Sequence, residues 1–328
     1  TGAIVGNFVL VARRSGLDRG FESWTEQLPA RIGVPPHDAP QRTADSITDG
    51  ALALLGLGPP AADGAGPRDP ALAGAAPWFL YLHYMDPHGA YAPPAEYERA
   101  PAAPELVAPW VEPTALHRLR VAEYNVAPDA RLFDGGFDAA LVRARYDGEV
   151  RYVDHELGRL FAALDQAGQL DETLVIVTSD HGESLGEHLY YFEHGLYTYE
   201  ATVGVPLIVR PPASFEATPG RRPLDLSLAD VAPTVLELLE LPGLELDPAS
   251  PGGRACAAAW RDATDDRAPV YSVKTERADL DGTVQLRAVR RGDWKLVHGL
   301  AARTVDGRTE WVRVREELSQ EGDRGRAD

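Results

Sequence analysis

The chain has little cysteine and lysine, and it has no long hydrophobic run. Cys256 is the only cysteine in 328 residues, which excludes a scaffold of disulfide bonds. No segment approaches the roughly 18 apolar residues that a transmembrane helix needs, so the sequence predicts no membrane span. Lys274 and Lys295 are the only lysines, and arginine carries nearly all the positive charge. This composition is typical of a GC-rich bacterial coding sequence.

The charge balance is strongly acidic. A formal net charge of −18 argues against a nucleic-acid partner, which would need a basic surface. It does not exclude an anionic substrate, because a metal ion and a few histidines can reverse the local field inside a cleft. Composition leaves the cellular compartment and the oligomeric state open.

Alternating strand and helix patterns predict an α/β fold. The expected architecture is a three-layer α/β/α sandwich with a mostly parallel central sheet. Apolar β-like runs predict strands over 3–11, 78–82, 173–178 and 205–209. Apolar residues at helical spacing predict helices over 45–55, about 138–167 and 230–241.

The sequence predicts two domains. Residues 1–248 form the α/β domain, and short β patterns in 249–328 predict a small antiparallel C-terminal α+β subdomain. The stretch 56–76 is rich in glycine, alanine and proline and is expected to be a surface connection. The chain starts at Thr1 without an initiator methionine, and we expect further sequence upstream.

The stretch 175–188 is the strongest candidate for a functional site. A β-branched run ends there in Asp180-His181-Gly182, and ligands bind at the carboxyl ends of strands in open α/β sheets. At the end of a predicted parallel strand, Asp180 and His181 can both turn toward one ion. Carboxylate oxygen suits Ca²⁺, Mg²⁺ or Mn²⁺, whereas imidazole shifts the preference toward Mn²⁺ or Zn²⁺. The alternative is that Asp180 caps the following turn and His181 makes a structural hydrogen bond.

Two further histidine groups follow predicted strands. His88 lies with His83 and Asp86 just past a strand, where it could donate to an oxyanion or protonate a leaving group. The alternative is a histidine in a polar surface loop. His188 and His194 lie in the glycine-bracketed loop after Asp180, and here the alternative is a solvated acidic loop.

Acidic residues near these histidines are given different interpretations. Glu183 could orient an imidazole, whereas Glu187 and Glu193 are interpreted as solvated. Tyr199-Glu200 is predicted to pack the loop against the next strand. On the helix over 138–167, one apolar stripe is predicted for Leu141, Tyr146, Val150, Val153, Leu157, Leu160, Phe161 and Leu164. Asp147 and Asp154, with Glu149 and Arg151 between them, are interpreted as a solvated or salt-bridged face.

The ordered set of motifs resembles the sulfatases, within the alkaline-phosphatase-like superfamily of hydrolases. The matching segments are 79–89, 146–154, 178–183, 186–188, 192–195, 199–200 and 205–209. Any one of these segments is weak evidence. Their joint presence in the order found in the family is specific.

The resemblance implies a metal-dependent sulfuric ester hydrolase. Asp180 and His181 would complete a divalent-metal site, usually for Ca²⁺, with Mn²⁺ or Mg²⁺ as alternatives. His88 would bind a sulfate oxygen, and His194 would replace a cationic residue near the leaving-group oxygen. We also expect His188 to contact the substrate, a small-molecule or carbohydrate sulfate ester.

The chain departs from the family pattern in its nucleophile region. The two consecutive Asp ligands on the family's first strand and the Cys/Ser-x-Pro-x-Arg motif that yields formylglycine are absent, and Cys256 does not match that motif. We expect the formylglycine upstream of Thr1, a C-terminal subdomain cut short after Glu317, and an isolated chain that is inactive and prone to aggregation. Family members are often exported, but the sequence carries no signal that would decide its compartment.

Two alternatives remain at this point. The chain could be a phosphodiesterase, phosphonate-ester hydrolase or phosphoglycerol transferase of the same superfamily, since Asp-His-Gly occurs across that group. It could also be a degenerate, non-catalytic binding protein. The joint presence of Asp180, His181, His88 and His194 counts against a mere scaffold.

Overall fold

The structure is a computed structural model. The described residues are 1–7, 10–26, 28, 41–59, 72–74, 77–89, 91–107, 120–121, 136–222, 224–243, 252–261, 268–275, 285–305 and 308–320. The chain divides into two compact units, Thr1–Asp171 and Glu172–Asp328, and each is described by itself. The boundary predicted at residue 248 lies outside the described residues and stays a prediction.

The first unit contains a parallel sheet and two long helices. Its elements are β1 (Gly2–Val5), α1 (Ala12–Ser15), β2 (Ser23–Thr25), α2 (Ala44–Leu54), β3 (Leu80–His83), β4 (Leu106–Val107), β5 (Arg120–Val121), β6 (Phe137–Asp138) and α3 (Ala139–Gln166). β1 lies between β2 and β3 and runs parallel to both. β4 and β6 form a separate antiparallel pair.

The core of the first unit lies between β1 and the two long helices. All four residues of β1 are buried, as are nine of the eleven residues of α2. The cluster consists of Ile4, Ile47, Ala51, Leu52, Leu54, Leu55, Leu72, Leu160 and Leu164. The carboxylate of Asp138 caps α3 by accepting hydrogen bonds from the amides of Ala140 and Leu141.

The buried face of α3 differs from the predicted apolar stripe. Val150, assigned to the stripe, is 45% exposed. Glu149, assigned to a solvated face, is 3% exposed. The buried positions are Ala139, Val142, Gly148, Glu149, Tyr152, Glu156, Leu160 and Leu164. The face that packs therefore includes two carboxyl groups that hydrophobicity alone places outside.

The second unit begins with short strands and ends in an antiparallel sheet. Its elements are β7 (Val175–Thr178), β8 (Ser184–Leu185), β9 (Tyr190–Glu193), α4 (Glu200–Val203), β10 (Leu207–Arg210), α5 (Val231–Leu238), α6 (Ala258–Arg261), β11 (Val270–Thr275), β12 (Gln285–Arg291), β13 (Trp294–Val305) and β14 (Arg308–Gln320). Short 3₁₀ turns cover Leu170–Glu172, Glu187–Leu189 and Leu228–Asp230.

The pairing of these strands confirms one expectation and differs from another. β11 to β14 form a four-stranded antiparallel sheet in chain order, as the sequence predicts. β7 is predicted as a parallel strand, but its described neighbour, β10, runs antiparallel to it. No helix among the described residues is long and apolar enough to cross a membrane.

Candidate functional site

Asp180 and His181 lie directly after β7, where the chain leaves the sheet. The hydroxyl of Thr178 donates to the carbonyl oxygen of Pro206 at 2.8 Å, which ties the end of β7 to the chain before β10. The hydroxyl of Ser179 donates to the carbonyl oxygen of His181 at 2.6 Å. The side chain of Asp180 is 77% exposed. The local hydrogen bonds thus fix the backbone of the dipeptide and leave its carboxylate accessible.

The hydrogen bond between His181 and Gly182 selects the tautomer that a metal ligand needs. Its Nδ1 lies 2.9 Å from the carbonyl oxygen of Gly182, and a carbonyl oxygen can only accept, so Nδ1 carries the proton. In the neutral ring Nε2 is therefore the basic nitrogen. Nε2 lies 3.7 Å from Oδ1 of Asp180. One oxygen and one nitrogen donor are thus brought side by side.

This pair can supply only part of a coordination shell. Calcium takes six to eight oxygen ligands, and smaller cations prefer about six. Within the described ranges, no group of three or more His, Cys, Asp or Glu side chains is arranged to hold a metal ion. The donor types of Asp180 and His181 suit a divalent cation, but the remaining ligands must come from other groups.

Gly182 is required at its position by close packing against α4. A Cβ atom added there would lie 2.2 Å from the carbonyl oxygen of Ala201. The amide of Gly182 donates to the carbonyl oxygen of Thr202 at 2.9 Å. The residue after the candidate ligands therefore rests on the backbone of α4, which sets the direction of the chain at His181.

His194 lies beside His181 and is bonded to a buried carboxylate. The two rings stack with centroids 3.8 Å apart and planes at 20°. Nδ1 of His194 lies 3.3 Å from Oε1 of Glu183, whose side chain is 5% exposed. Burial alone lowers the pKa of His194, but the hydrogen bond to Glu183 and the charges of Glu183, Glu193 and Asp180 outweigh it and raise the pKa. The ring is therefore disposed to carry a positive charge.

His188 is placed in a different environment from His194. Its ring stacks on Tyr199, with centroids 3.9 Å apart and planes at 14°. His188 has φ 55°, Leu189 in the same loop also has positive φ, and so does Phe192 in the adjoining β9. Such left-handed backbone is costly for residues other than glycine and is often found at functional sites. Burial of Phe192 anchors this loop.

His88 belongs to the first unit and follows β3. Its amide donates to the carbonyl oxygen of Met85 at 2.8 Å. Its Nδ1 lies 3.1 Å from the carbonyl oxygen of Gly89, so Nδ1 again carries a proton. Two residues earlier, burial is the main cause that raises the pKa of Asp86 to about 6. The predicted histidine is thus preceded by a carboxyl group that resists ionisation.

Three charged groups of structural importance, Arg290, Lys295 and Glu149, were not identified as such from the sequence. Glu200 accepts from Arg290 at 2.8 Å and from Lys295 at 3.0 Å, and Lys295 is 2% exposed. These contacts tie α4 to the C-terminal sheet, so Glu200 has a structural role, but with a partner other than the next strand, against which Tyr199-Glu200 was predicted to pack. Glu149 is the third, and its contacts with the His88 segment are described below. Long-range partners of this kind leave no local signal in a sequence.

Comparison with known proteins shows similarity to sulfatases and to a protein of the alkaline phosphatase superfamily. A family model described as Sulfatase matches residues 71–241, more than half of the chain. An arylsulfatase of Clostridium perfringens is 30% identical over 179 residues, which cover 53% of this chain and 35% of the relative. The multifunctional alkaline phosphatase superfamily protein PehA of Trinickia caryophylli is 35% identical over 178 residues, covering 50% of this chain and 34% of PehA. The chain thus spans about a third of the length of these two relatives.

A solved structure extends the similarity to most of the described fold. The phosphonate monoester hydrolase SpPMH from Silicibacter pomeroyi superposes with a TM-score of 0.61 at 25% identity, covering 90% of this chain and 58% of that protein. This confirms the expected α/β fold with its antiparallel C-terminal sheet. Together with the family match across residues 71–241, it shows that the chain belongs to the sulfatase family.

Proposed function

We propose that this chain forms part of the catalytic site of a divalent-metal-dependent hydrolase of sulfate esters. The observation that carries the proposal is the placement of Oδ1 of Asp180 3.7 Å from Nε2 of His181, with Nδ1 of His181 held by the carbonyl oxygen of Gly182. The sulfatase relationships support the same reaction class.

Asp180 and His181 would hold the cation. When bound, the metal would neutralise negative charge on the sulfate oxygens and make the sulfur a better electrophile. Calcium is the favoured ion by family resemblance, and Mn²⁺ and Mg²⁺ are the alternatives because of the mixed oxygen and nitrogen donor set. Gly182 and α4 would keep the two donor atoms side by side.

His194 would act on the leaving group. Its Nδ1 proton is engaged by Glu183, so a cationic ring has a second N–H at Nε2 to offer. That proton could stabilise or neutralise the alkoxide that develops as the ester bond breaks. The carboxylate of Glu183 keeps the imidazole in this orientation and favours its charged form.

His88 and His188 would contact the substrate. Since Nδ1 of His88 donates to Gly89, donation from Nε2 to a sulfate oxygen requires the protonated ring. The negative charge of a sulfate ester would itself favour that protonation. His188, stacked on Tyr199, would present its exposed edge to the alcohol part of a small-molecule or carbohydrate sulfate ester.

The nucleophile completes the proposal. By family resemblance it would be a formylglycine, and the 328 residues contain no Cys/Ser-x-Pro-x-Arg motif from which it could form. We therefore propose that the isolated chain does not turn over sulfate esters. Sequencing the coding DNA on the 5′ side of the Thr1 codon tests the formylglycine assignment. An in-frame Asp-Asp pair followed by that motif supports a sulfatase, whereas a Ser or Thr nucleophile outside such a motif would contradict the formylglycine assignment.

Hydrolysis of phosphonate or phosphate diesters is the second candidate. The similarity to PehA and to SpPMH favours it, and the site described here would serve either ester class. Turnover of an aryl sulfate compared with turnover of a phenylphosphonate ester would separate them in protein that carries the nucleophile. Turnover of either by the isolated chain would show that the nucleophile proposal is wrong.

The metal site can be tested on the chain as it is. Weak binding by two ligands is detectable as paramagnetic broadening of histidine ring protons by substoichiometric Mn²⁺. We expect His181 to broaden first, Asp180→Asn to abolish the effect, and Glu216→Gln, an exposed carboxylate in the same unit, to leave it unchanged. His298, which lies 3.7 Å from a carboxylate oxygen of Glu316, is the internal control. Equal broadening at His298 would mean nonspecific binding.

A further inference from the structure

The segment that follows His88, residues 91–98, is held against one face of α3 by hydrogen bonds and an ion pair. Oε1 of Glu149 accepts a hydrogen bond from the amide of Ala92 at 2.6 Å. Two turns of the same helix contribute further contacts, in which Arg151 donates to the carbonyl oxygen of Tyr97 at 2.7 Å and Arg145 pairs with Glu98 at 3.0 Å. The position of residues 91–98 is thus set by a helix that lies far from them in the sequence.

Close packing supports these polar contacts. A Cβ atom added to Gly148 would lie 2.7 Å from Cγ of Pro93, so the helix and the segment approach as nearly as glycine allows. The rings of Tyr91 and Tyr146 meet edge to face with centroids 5.5 Å apart. There is little room for the segment to shift along the helix without breaking the bond between Ala92 and Glu149.

Glu149 is buried and Asp86 is partly buried, and neither carboxyl group has a counter-ion among the described residues. Glu149 is 3% exposed. Within the described residues, Oε2 of Glu149 and Oδ2 of Asp86 are buried and have no hydrogen-bond partner. The Asp86 carboxyl does accept a backbone hydrogen bond from Ala44, at the start of α2, which favours its ionised form. A buried carboxylate without a partner is unfavourable, and a proton removes that cost.

We propose that Glu149 is a positioning residue which, in its protonated form, fastens the segment after His88 to α3, and that the charge of ionised Asp86 makes the fastening sensitive to proton loss. As a neutral acid, Glu149 accepts from Ala92 through Oε1 and keeps its proton on Oε2. Loss of that proton would place two negative charges in one buried region. The segment would then open to water, and His88 would lose its fixed position. The relevance of this to substrate binding rests on the proposed function of His88.

The direction in which the pKa of Glu149 is shifted agrees with this geometry. Burial is the main cause that raises the pKa of Glu149 to about 8, with the charge of Asp86 acting in the same direction and the hydrogen bond from Ala92 opposing both. Two other titratable groups interact with Asp86. The charge of Asp45 on α2 raises the pKa of Asp86, and the charge of Asp86 adds to burial in raising the pKa of Tyr152 on α3. Near the pair in sequence, His83 and His88 flank Asp86, and Arg151 lies two residues after Glu149 on α3.

Hydrogen-exchange mass spectrometry tests the proposal in the intact chain without metal or substrate. After correction for intrinsic exchange, we expect protection in residues 85–98 to fall at least tenfold between pH 6.5 and pH 9, while protection in β1 stays constant. Glu149→Gln is uncharged and keeps the acceptor for Ala92, so its protection should not change with pH. Asp147→Asn, an exposed carboxylate on the same helix, should behave like the wild type.

Two results would overturn the proposal. One is a wild-type segment whose protection does not change across this pH range, and the other is a Glu149→Gln variant that loses protection as the wild type does. If Glu149→Gln fails to fold, carboxyl ¹³C NMR of wild-type Glu149 decides instead. A titration midpoint near the ordinary value of 4.5 would reject the protonated form. Asp86→Asn should lower that midpoint, and an unchanged midpoint would reject the coupling.

The role of His88 is tested separately. Inorganic sulfate should shift the ring signals of His88 at pH 6.5 if the histidine binds an oxyanion. A pH-dependent segment together with an unresponsive His88 would leave the positioning role of Glu149 intact and contradict the proposed function. A His88 that responds to sulfate, together with a segment whose protection does not depend on pH, would support the role of His88 and contradict the positioning role of Glu149.

Discussion

The charged side chains around Glu200 and the carboxyl groups of Asp86 and Glu149 are all partly or fully buried, but among the residues that the structure describes only the first group contains counter-ions. Glu200 receives hydrogen bonds from Arg290 and Lys295. Asp86 and Glu149 instead have raised pKa values of about 6 and about 8, mainly because of burial. A buried charge is stabilised either by a partner of opposite sign or by changing its protonation state. The first solution ties elements together at all ordinary pH values, and the second makes the contact depend on pH.

Removing a counter-ion from the first group should have the largest effect on stability. Lys295→Met leaves a carboxylate oxygen of Glu200 without its buried partner, and breaking a buried ion pair costs about 3 kcal/mol or more. We expect a loss of that size in the free energy of unfolding, measured by urea denaturation. Lys274→Met is the matched control, because it removes the other lysine from the same sheet. An equal loss in both variants would contradict a specific contribution from the contact between Lys295 and Glu200.

A change at Gly182 tests whether α4, the helix that carries Glu200, also determines the geometry of the candidate metal ligands. Gly182→Ala would bring Cβ within 2.2 Å of Ala201 in α4, the helix that Glu200 anchors. Overpacking of this kind typically costs 1–3 kcal/mol, and we expect about 2 kcal/mol together with loss of Mn²⁺ broadening at His181. Gly158→Ala is the control, since a Cβ there meets nothing within 4 Å and alanine favours a helix interior by roughly 0.5–1 kcal/mol. Unchanged broadening in Gly182→Ala would contradict the role of α4.

Replacing Glu149, which has no counter-ion among the described residues, by a neutral residue should have a smaller effect on the free energy of unfolding. At high pH the replacement should increase stability and not reduce it. The folded pKa of Glu149, about 8, lies above the ordinary value of 4.5, so the folded state binds the proton more tightly than the unfolded state. Stability is therefore highest in acid and falls as the pH rises from about 4.5 to about 8. Glu149→Gln should remove this decline and stabilise the chain by about 1–2 kcal/mol at pH 9 relative to wild type. Parallel denaturation curves at pH 5.5 and pH 9 measure this. A variant that is less stable than wild type at pH 9 would show that ionised Glu149 is accommodated.

Local motifs were enough to identify the fold class and the candidate ligands. Asp180 and His181 could be selected because a β-branched run and the Asp-His-Gly sequence are adjacent in the chain. The C-terminal strands follow from short β patterns in 270–297. The direction of β7 relative to its neighbour could not be read in this way, because strand pairing is decided by which segments meet.

The sequence by itself determined which side chains are capable of chemistry and roughly where strands end. Only the tertiary structure decided their partners. Lys295 reaches Glu200 across 95 residues, and Ala92 reaches Glu149 across 57. Helical periodicity shows on which face of α3 Glu149 lies, but it does not show which segment packs against that face. The burial of Glu149 was therefore not predicted. Protonation and orientation depend on these distant contacts, because the electrostatic environment of a side chain is set by the atoms around it and not by its neighbours in sequence.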